Sequence, residues 1–287
     1  MRILVTGATG FLGSHIIRIL LKEGYEVIIL KRSFSDIWRI KNEIDQVNVY
    51  DIDKCSLETP FLEQGNIDAV IHTATCYGRN GESLNQVYQT NVSFPLELLE
   101  IAALFNTKAF FNTDTVLYKY LNYYSLSKKQ FLEWGKILAK EGKINFVNMK
   151  LEHIYGLQDD ASKFVGYVIK QCRDNVKELN LTKGEQKRDF IYIDDVVNAY
   201  AVILQNKRYI RGFVEYAVGT GETVSIKYFV ELVRQLTNSH TKLNFGAIPY
   251  RENEIMESKS NIESLTNLGW KPEITLQQGI SKMLKKI

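Results

Sequence analysis

The chain has 287 residues, 45% hydrophobic and 24% charged, enough to bury a sizeable core in one large domain or two smaller ones. Thirty-six basic and thirty-three acidic side chains leave a net charge of +3, too small and too dispersed for a nucleic-acid or membrane-surface protein but compatible with anionic small molecules. Cys55, Cys76 and Cys172 form no CxxC, and His15, His72, His153 and His240 show no ligand spacing, so thiols that merely pack in a reducing cytoplasm and no metal site are expected.

The N-terminus "RILVT" reads as a buried strand, with no basic-then-apolar signal segment before it, and no apolar run reaches the ~18 residues of a membrane span. Then comes "FLGSHIIRILLKEG", an amphipathic helix with Leu12, Ile16, Ile19 and Leu20 on one stripe and Gly24 as its C-cap. Further short apolar runs, "EVIIL", "QVNVY", "AVIHT", "AFFNT" and "NFVNMKL", alternate with helical patterns. This βαβαβ order predicts an α/β fold: a Rossmann doubly wound parallel sheet. After about residue 150 the alternation becomes irregular, which places a dinucleotide-binding domain at 1–150 and a smaller α/β C-terminal substrate lobe at 151–287, with about 187–207, "RDFIYIDDVVNAYAVIL", returning to the first.

Between the first strand and helix lies "VTGATGFLG". Gly7, Gly10 and Gly13 can form a tight turn, admit a pyrophosphate close to the backbone and let helix and strand pack closely, while the helix N-terminus supplies free N–H donors. The spacing is GxxGxxG, and its position makes dinucleotide binding the expectation. An acid after the second strand would hold the ribose hydroxyls of NAD; here Lys31 and Arg32 stand instead, suiting the 2′-phosphate of NADP. Both side chains could also point to solvent, and Asp36 could reach back, which keeps NAD(H) as the alternative to NADP(H).

In "NYYSLSKKQF", residues 122–131, a helical advance of about 100° per residue puts only partners three or four apart on one face. Tyr124 and Lys128 are such a pair, whereas Tyr123 lies five before Lys128 and Lys129 five after Tyr124. A ketone taking up hydride needs a proton at oxygen, and a phenol can give it. A cation at about 4 Å would favour the phenolate by up to ~4 kcal/mol, lowering the tyrosine pKa by roughly two or three units. Ordinary decoration of a helix surface is the other reading. On the same helix Leu126, Trp134 and Ile137 lie roughly opposite this pair, beside Gln130 and Glu133; a helix apolar on two sides needs two partners, so a homodimer is expected.

Taken together, "TGATGFLG", Asp51 of "VYDID", "HTA" at 72–74, Asn91 of "YQTNV", "NTDTVLY", the Tyr124 and Lys128 pair, "RDFIYIDDVVNAY", "YAVGTGETVSI" and "LGWKPEITLQQGI" resemble, over nearly the whole chain, the extended short-chain dehydrogenase/reductase family of nucleotide-sugar epimerases, dehydratases and reductases. The resemblance implies cofactor contacts from Gly7, Thr9, Gly10, Phe11, Leu12, Gly13, Lys31, Arg32, Asp51, Ile52, Thr73, Ala74, Thr75, Asn91, Tyr124 and Lys128. It implies catalysis by Thr113, Tyr124 and Lys128, with Thr113 orienting the substrate oxygen; a strand-end threonine capping a turn is the alternative. For the substrate it implies Asp114, Thr115, His153, Arg188 and Arg251. Asp114 reads first as a hydrogen-bonded turn residue, His153 equally as a satisfied buried histidine, and the arginines also as surface salt bridges with Asp189 and Glu252. Dehydratases similar to this segment carry an acid where Thr115 stands, so elimination lacks its base here. The segments "FVNMKLEHIYG", "KGEQKRDFIYIDDVVNAY" and "FGAIPYRENEIM" resemble the subgroup that reduces C4 of nucleotide-activated 4-keto deoxysugars, giving CDP-abequose-type or dTDP-fucose-type products for O-antigen biosynthesis. A 4-epimerase or C4 dehydrogenase using NAD is the rival, and a non-catalytic dinucleotide sensor a more distant one. The stretch from Thr113 to Tyr124, which borders the sugar in this family, is shorter than in many relatives.

Overall fold

The structure, a computed structural model, describes residues 1–285. In chain order its first elements are β1 (Arg2–Thr6), α1 (Phe11–Lys22), β2 (Glu26–Lys31), β3 (Asn48–Asp51), α2 (Thr59–Gln64), β4 (Ala69–His72), α3 (Leu84–Tyr88), α4 (Phe94–Leu104), β5 (Ala109–Thr115), α5 (Tyr123–Lys140) and β6 (Asn145–Leu151). The helix α6 (Ile193–Gln205) and strand β7 (Phe213–Val218) come later. One seven-stranded sheet runs β7-β6-β5-β4-β1-β2-β3, with β1 to β6 paired in parallel. The strand order reverses beside β1, between β2 and β4, and at such a switch point the loops after the strands diverge and leave a crevice.

Each apolar run expected to be a strand is one; the inner strands are buried on both faces, with Ile3, Leu4, Val5, Ile28, Ile29, Val70, Ile71, Phe110 and Phe111 fully enclosed, whereas β3 is a partly exposed edge. Phe110, Phe131 and Phe146 fix α5 to this sheet, with ring centroids 5.8 Å apart in each pair. In α1 the buried stripe is Leu12, Ile16, Ile17 and Leu20; Ile17 takes the place expected of Ile19, because the helix turns its i, i+1, i+4 edge to the sheet. Gly24 follows the last turn with φ +75°, as a C-terminal cap requires.

The chain divides into two units, one of 1–151 with Val197–Tyr216, the other of Glu152–Val196 and the residues from Ala217 onward. The return to the first unit therefore begins inside α6, at Val197. In the second unit Phe190–Tyr192 pairs with His153–Tyr155, Lys187–Arg188 pairs with Val224–Ser225 and Glu257–Ser258, and Lys242–Phe245 pairs with Glu178–Leu181. Helices Phe164–Arg173, Ile226–Leu236 and Leu276–Lys285 belong to this unit. Among the described residues no helix is long and apolar enough to cross a membrane.

Candidate active site

The glycine turn is built by close approach. Gly7 has φ +66°, and a Cβ there would lie 2.5 Å from Ala74 N and 2.7 Å from Thr73 C. A Cβ on Gly13 would strike the carbonyl of Gly7. β1 and β4 are stitched at this point: Thr73 Oγ1 donates to Thr6 O at 2.7 Å, and Thr6 Oγ1 meets His72 Nδ1 at 2.8 Å. Helix α1 starts at Gly10 with no side-chain cap and no acid in its first turn. Its first N–H groups are therefore left for an outside acceptor, which is the donor set a diphosphate needs. Thr9 and Gly10 are half-buried and Phe11 and Leu12 buried at this turn.

The groups after β2 and β3 are partly spoken for. Lys31 Nζ lies 2.6 Å from Asp51 Oδ1, so its charge is shared with that carboxylate, and Ile52 N donates to Lys31 O. Arg32 is exposed, its guanidinium carbon 4.9 Å from the centre of the Phe34 ring. Asp36 does not reach back to the ribose position: it accepts from Trp38 N at 3.0 Å, an exposed local turn. Arg39 stacks on Trp38 at 4.3 Å and reaches Thr9 O at 3.5 Å.

Asn91 lies in a π-helical turn, Gln89–Ser93, between α3 and α4, and is completely buried. Its Oδ1 accepts from Cys76 N (2.8 Å) and Thr75 Oγ1 (3.3 Å), and its Nδ2 donates to Cys76 O (2.8 Å) and Ser127 Oγ (2.9 Å). All its hydrogen-bonding capacity is used within the protein. It clamps the 75–76 loop to α5 and is a positioning group, not the cofactor contact expected of it.

Helix α5 begins with a capping box in which Asn122 Oδ1 accepts from Ser125 N at 2.9 Å and Ser125 Oγ accepts from Asn122 N at 3.1 Å. This fixes the register that puts Tyr124 and Lys128 one turn apart. Lys128 is 1% exposed and has no hydrogen bond or ion pair with any described residue. Burial pushes its ammonium down to about 8, Asp114 opposing and Lys129 reinforcing the shift. Tyr124 is moved the other way from the expectation: its phenol is raised, by burial first and then by Tyr77 and Asp114, with the Thr115 hydroxyl and Arg79 opposing. Desolvation of the phenolate outweighs the rest. The consequence is a phenol that keeps its proton until something takes it.

Thr113 and Thr115 project from one face of β5. Thr113 Oγ1 lies 2.8 Å from Tyr200 Oη of α6. Thr115 is buried, its backbone N–H held by Asp114 Oδ1 at 2.7 Å. Asp114 points to the opposite face, its side chain fully enclosed, with Lys129 Nζ at 2.7 Å and Asn148 Nδ2 at 3.0 Å. It is a structural ion pair, not a substrate contact, because Lys129 already occupies the carboxylate.

In the second unit Arg188 is 9% exposed and buried in an ion pair with Glu254, donating also to the carbonyls of Lys187 and Ile255. Its side chain pairs with Glu254 and not with Asp189, the salt-bridge partner expected from the sequence. Arg251 is exposed and its side chain has no partner among the described residues. His153 is half-exposed, with Nδ1 3.3 Å from Glu152 Oε2.

Residues 3–219 match the NAD dependent epimerase/dehydratase family. The chain belongs to that family. It is 41% identical to a CDP-abequose synthase of Salmonella muenchen, the match covering 99% of this chain and 97% of that protein. It is 37% identical to the CDP-abequose synthase of Salmonella typhimurium strain LT2, over 99% and 98%. The crystal structure of UDP-glucuronic acid 4-epimerase from Bacillus cereus, in complex with UDP-glucuronic acid and NAD, shares the fold with a TM-score of 0.87 at 23% identity, over 99% of this chain and 98% of that one. As an epimerase/dehydratase family member the chain is an enzyme of the NAD(P)-dependent oxidoreductase type. Its own residues fit a dinucleotide: side chains are excluded where Gly7 and Gly13 approach the backbone, and Lys128 is a buried donor without an acceptor.

Sequence reasoning passed over several groups here. Tyr77 packs against Tyr124 with ring centroids 4.9 Å apart and planes tilted by 40°, and Arg79 lies over Tyr77 at 5.3 Å. Both are in a loop with no periodicity to flag them. Tyr200 and Lys129 sat inside quoted motifs, but their partners are 87 and 15 residues away, a relation spacing does not carry.

Proposed function

We propose that the protein is an NADPH-dependent reductase of the C4 ketone of a nucleotide-activated 4-keto-6-deoxy or 3,6-dideoxy hexose. The observation that carries this reading is Tyr124, half-buried with its phenol held protonated, one helical turn from an ammonium with no partner among the described residues. When bound, a nicotinamide cofactor supplies the hydride. Tyr124 gives its proton to the carbonyl oxygen as charge develops there, and Lys128 holds positive charge beside the resulting phenolate. Thr113, braced by Tyr200, offers a hydroxyl to the same oxygen. The glycine turn with Thr9, Phe11 and Leu12, and the backbone of Thr73 to Thr75, hold the dinucleotide. Arg32 supplies the charge for a 2′-phosphate, since Lys31 is paired with Asp51. Arg251, whose side chain has no partner among the described residues, is the guanidinium for the substrate diphosphate. Similarity to CDP-abequose synthases supports the C4 reduction and the 4-keto deoxysugar class.

A 4-epimerase holding NAD is the second reading, favoured by the neutralised Lys31 and by the fold shared with a 4-epimerase. The test is incubation with NADPH or NADH and a panel of CDP-, dTDP-, UDP- and GDP-4-keto sugars, with products identified by NMR. Net consumption of NADPH with a C4 alcohol as product supports the reductase. Tightly bound NAD in the purified protein and interconversion of C4 epimers without cofactor turnover would support the second reading instead.

A further inference from the structure

On the side of the sheet that packs against α5, polar groups are enclosed without matching partners. His72 is fully buried, its ring 5.9, 6.1 and 5.8 Å from those of Phe94, Phe110 and Phe131. Thr6 Oγ1 meets its Nδ1 at 2.8 Å, whereas Nε2 is enclosed with no partner among the described residues. Asn112 stands opposite His72 on the next strand, and two residues beyond Phe110, so its side chain shares that face. Its orientation follows from its neighbours. Asn148 Nδ2 lies 3.0 Å from Asp114 Oδ2 and 2.8 Å from Glu215 Oε2, carboxylates that can only accept. Asn148 Oδ1 is therefore the acceptor for Asn112 Nδ2 at 2.8 Å, which leaves Asn112 Oδ1 as a buried acceptor with no donor among the described residues. Lys128 lies one turn before Phe131 on α5 and is 1% exposed. Burial first, and then the charge of this lysine, push the His72 imidazole well below its ordinary value, so the ring is neutral.

A buried polar atom left unpaired carries its whole desolvation penalty, and native interiors satisfy such atoms with protein or with internal water. Whichever nitrogen holds the proton of a neutral imidazole, Nε2 has either a hydrogen or a lone pair to satisfy. A water donates as well as accepts, so one molecule answers both tautomers, the amide oxygen and an ammonium together. We propose that a single internal water bridges His72 Nε2 and Asn112 Oδ1 and accepts a hydrogen bond from Lys128, which makes His72 and Asn112 positioning residues for that lysine. The site lies on the sheet side of Lys128, among the three phenylalanine rings, and is no route to solvent. Held there by one N–H, the ammonium keeps its other two hydrogens for the Tyr124 phenolate and a bound dinucleotide. One water replaces only part of a bulk hydration shell, so Lys128 retains most of its desolvation cost. The catalytic consequence rests on the reading of Lys128 as the cation beside Tyr124; the hydration site does not.

The experiment is NMR of the full chain labelled with ¹³C and ¹⁵N at histidine, with His72 assigned by elimination using His15→Gln, His153→Gln and His240→Gln, none of them at a buried position. The expected result is a direct NOE from a slowly exchanging water to the ring hydrogens that flank Nε2 of His72. Asn112→Leu should abolish that NOE and move the Nε2 resonance. His72→Phe and Asn112→Leu should each lower Tm, and the double variant should lower it by less than the sum, because removing both ends leaves neither to be satisfied. In single turnover with NADPH and the accepted 4-keto sugar nucleotide, each variant should react about 10-fold more slowly with dinucleotide Kd changed less than about threefold, the scale of one hydrogen bond. A merely structural role would lower Tm without slowing the folded variant. If a variant fails to fold, the wild-type spectrum decides. No water NOE in the wild type, an NOE unchanged in Asn112→Leu, additive losses in Tm, or unslowed variants would overturn the proposal. A water NOE with no 4-keto sugar reduced would sink the reductase reading and leave the hydration site standing, and reduction without the NOE would do the reverse.

Discussion

At Tyr124 burial, Tyr77 and Asp114 all hold the proton on the phenol, which suits a group whose proposed task is to give that proton to a ketone. Tyr124→Phe keeps the ring against Tyr77 and removes the proton. Turnover should fall by about 10²-fold to 10⁴-fold under single-turnover conditions, with cofactor and nucleotide-sugar affinities nearly intact. Tyr123 is 63% exposed and rotated away, so Tyr123→Phe should change little; an inactive Tyr123→Phe with an active Tyr124→Phe would reverse the assignment. Lys128 carries a pH signature. Its folded value, about 8, lies below the 10.5 of an exposed lysine, so between these values the unfolded chain binds more protons. Stability should therefore rise with pH through that window, and the full penalty is present below it. Lys128→Met should then stabilise the cofactor-free protein at pH 7 by on the order of 1 to 3 kcal/mol while lowering turnover, as urea unfolding and rate measurements would register. Unchanged stability would mean the ammonium is solvated. The pair itself was legible in the sequence because i, i+4 spacing is a property of the helix alone. The direction of the Tyr124 shift was not, because it is set first by burial and then by Tyr77 and Asp114, all consequences of what the fold packs around the phenol.

On the scale of elements, the glycine turn is where sequence and structure agree most closely, since Gly10 and Gly13 both answer to the nearby Gly7 carbonyl; Gly7 itself answers to Thr73 and Ala74 after β4. Gly13→Ala should destabilise the protein by about 1–3 kcal/mol, the range for overpacking at a site that cannot relax, because the new methyl meets the Gly7 carbonyl. It should also lower dinucleotide affinity by displacing the turn. Thermal unfolding with and without cofactor separates the two effects, and a Tm within about a degree of wild type would contradict the packing argument. The strands were legible because two-sided burial writes continuous apolar runs. Asn91 and Asp114 were placed by resemblance on the ligand, and the structure commits both to the protein. A buried amide or carboxylate must be satisfied, and which partner does so depends on a π-turn and on Lys129, features without a sequence period.

For the whole molecule, the outer face of α5 leaves Trp134 46% and Ile137 48% exposed, with Leu126 half-buried between the solvent and the catalytic face. We propose that this face pairs with a second copy. Trp134→Glu with Ile137→Glu should convert a dimer to a monomer in sedimentation at micromolar concentration; a wild-type monomer under the same conditions would remove the reading. The division of the chain was legible only coarsely, because the second unit is assembled from short strands, many of two to four residues, that carry no hydrophobic period. Arg188 illustrates the loss: the neighbouring Asp189 was the salt-bridge partner its motif offered, and a glutamate 66 residues further on pairs with it. The central claim, net hydride transfer to C4, is tested most directly with NADPH deuterated at the transferred position of its nicotinamide. With the accepted 4-keto sugar nucleotide, the product should carry one deuterium at C4 for each NADP⁺ formed, whereas interconverted C4 epimers without deuterium and without NADP⁺ would contradict it.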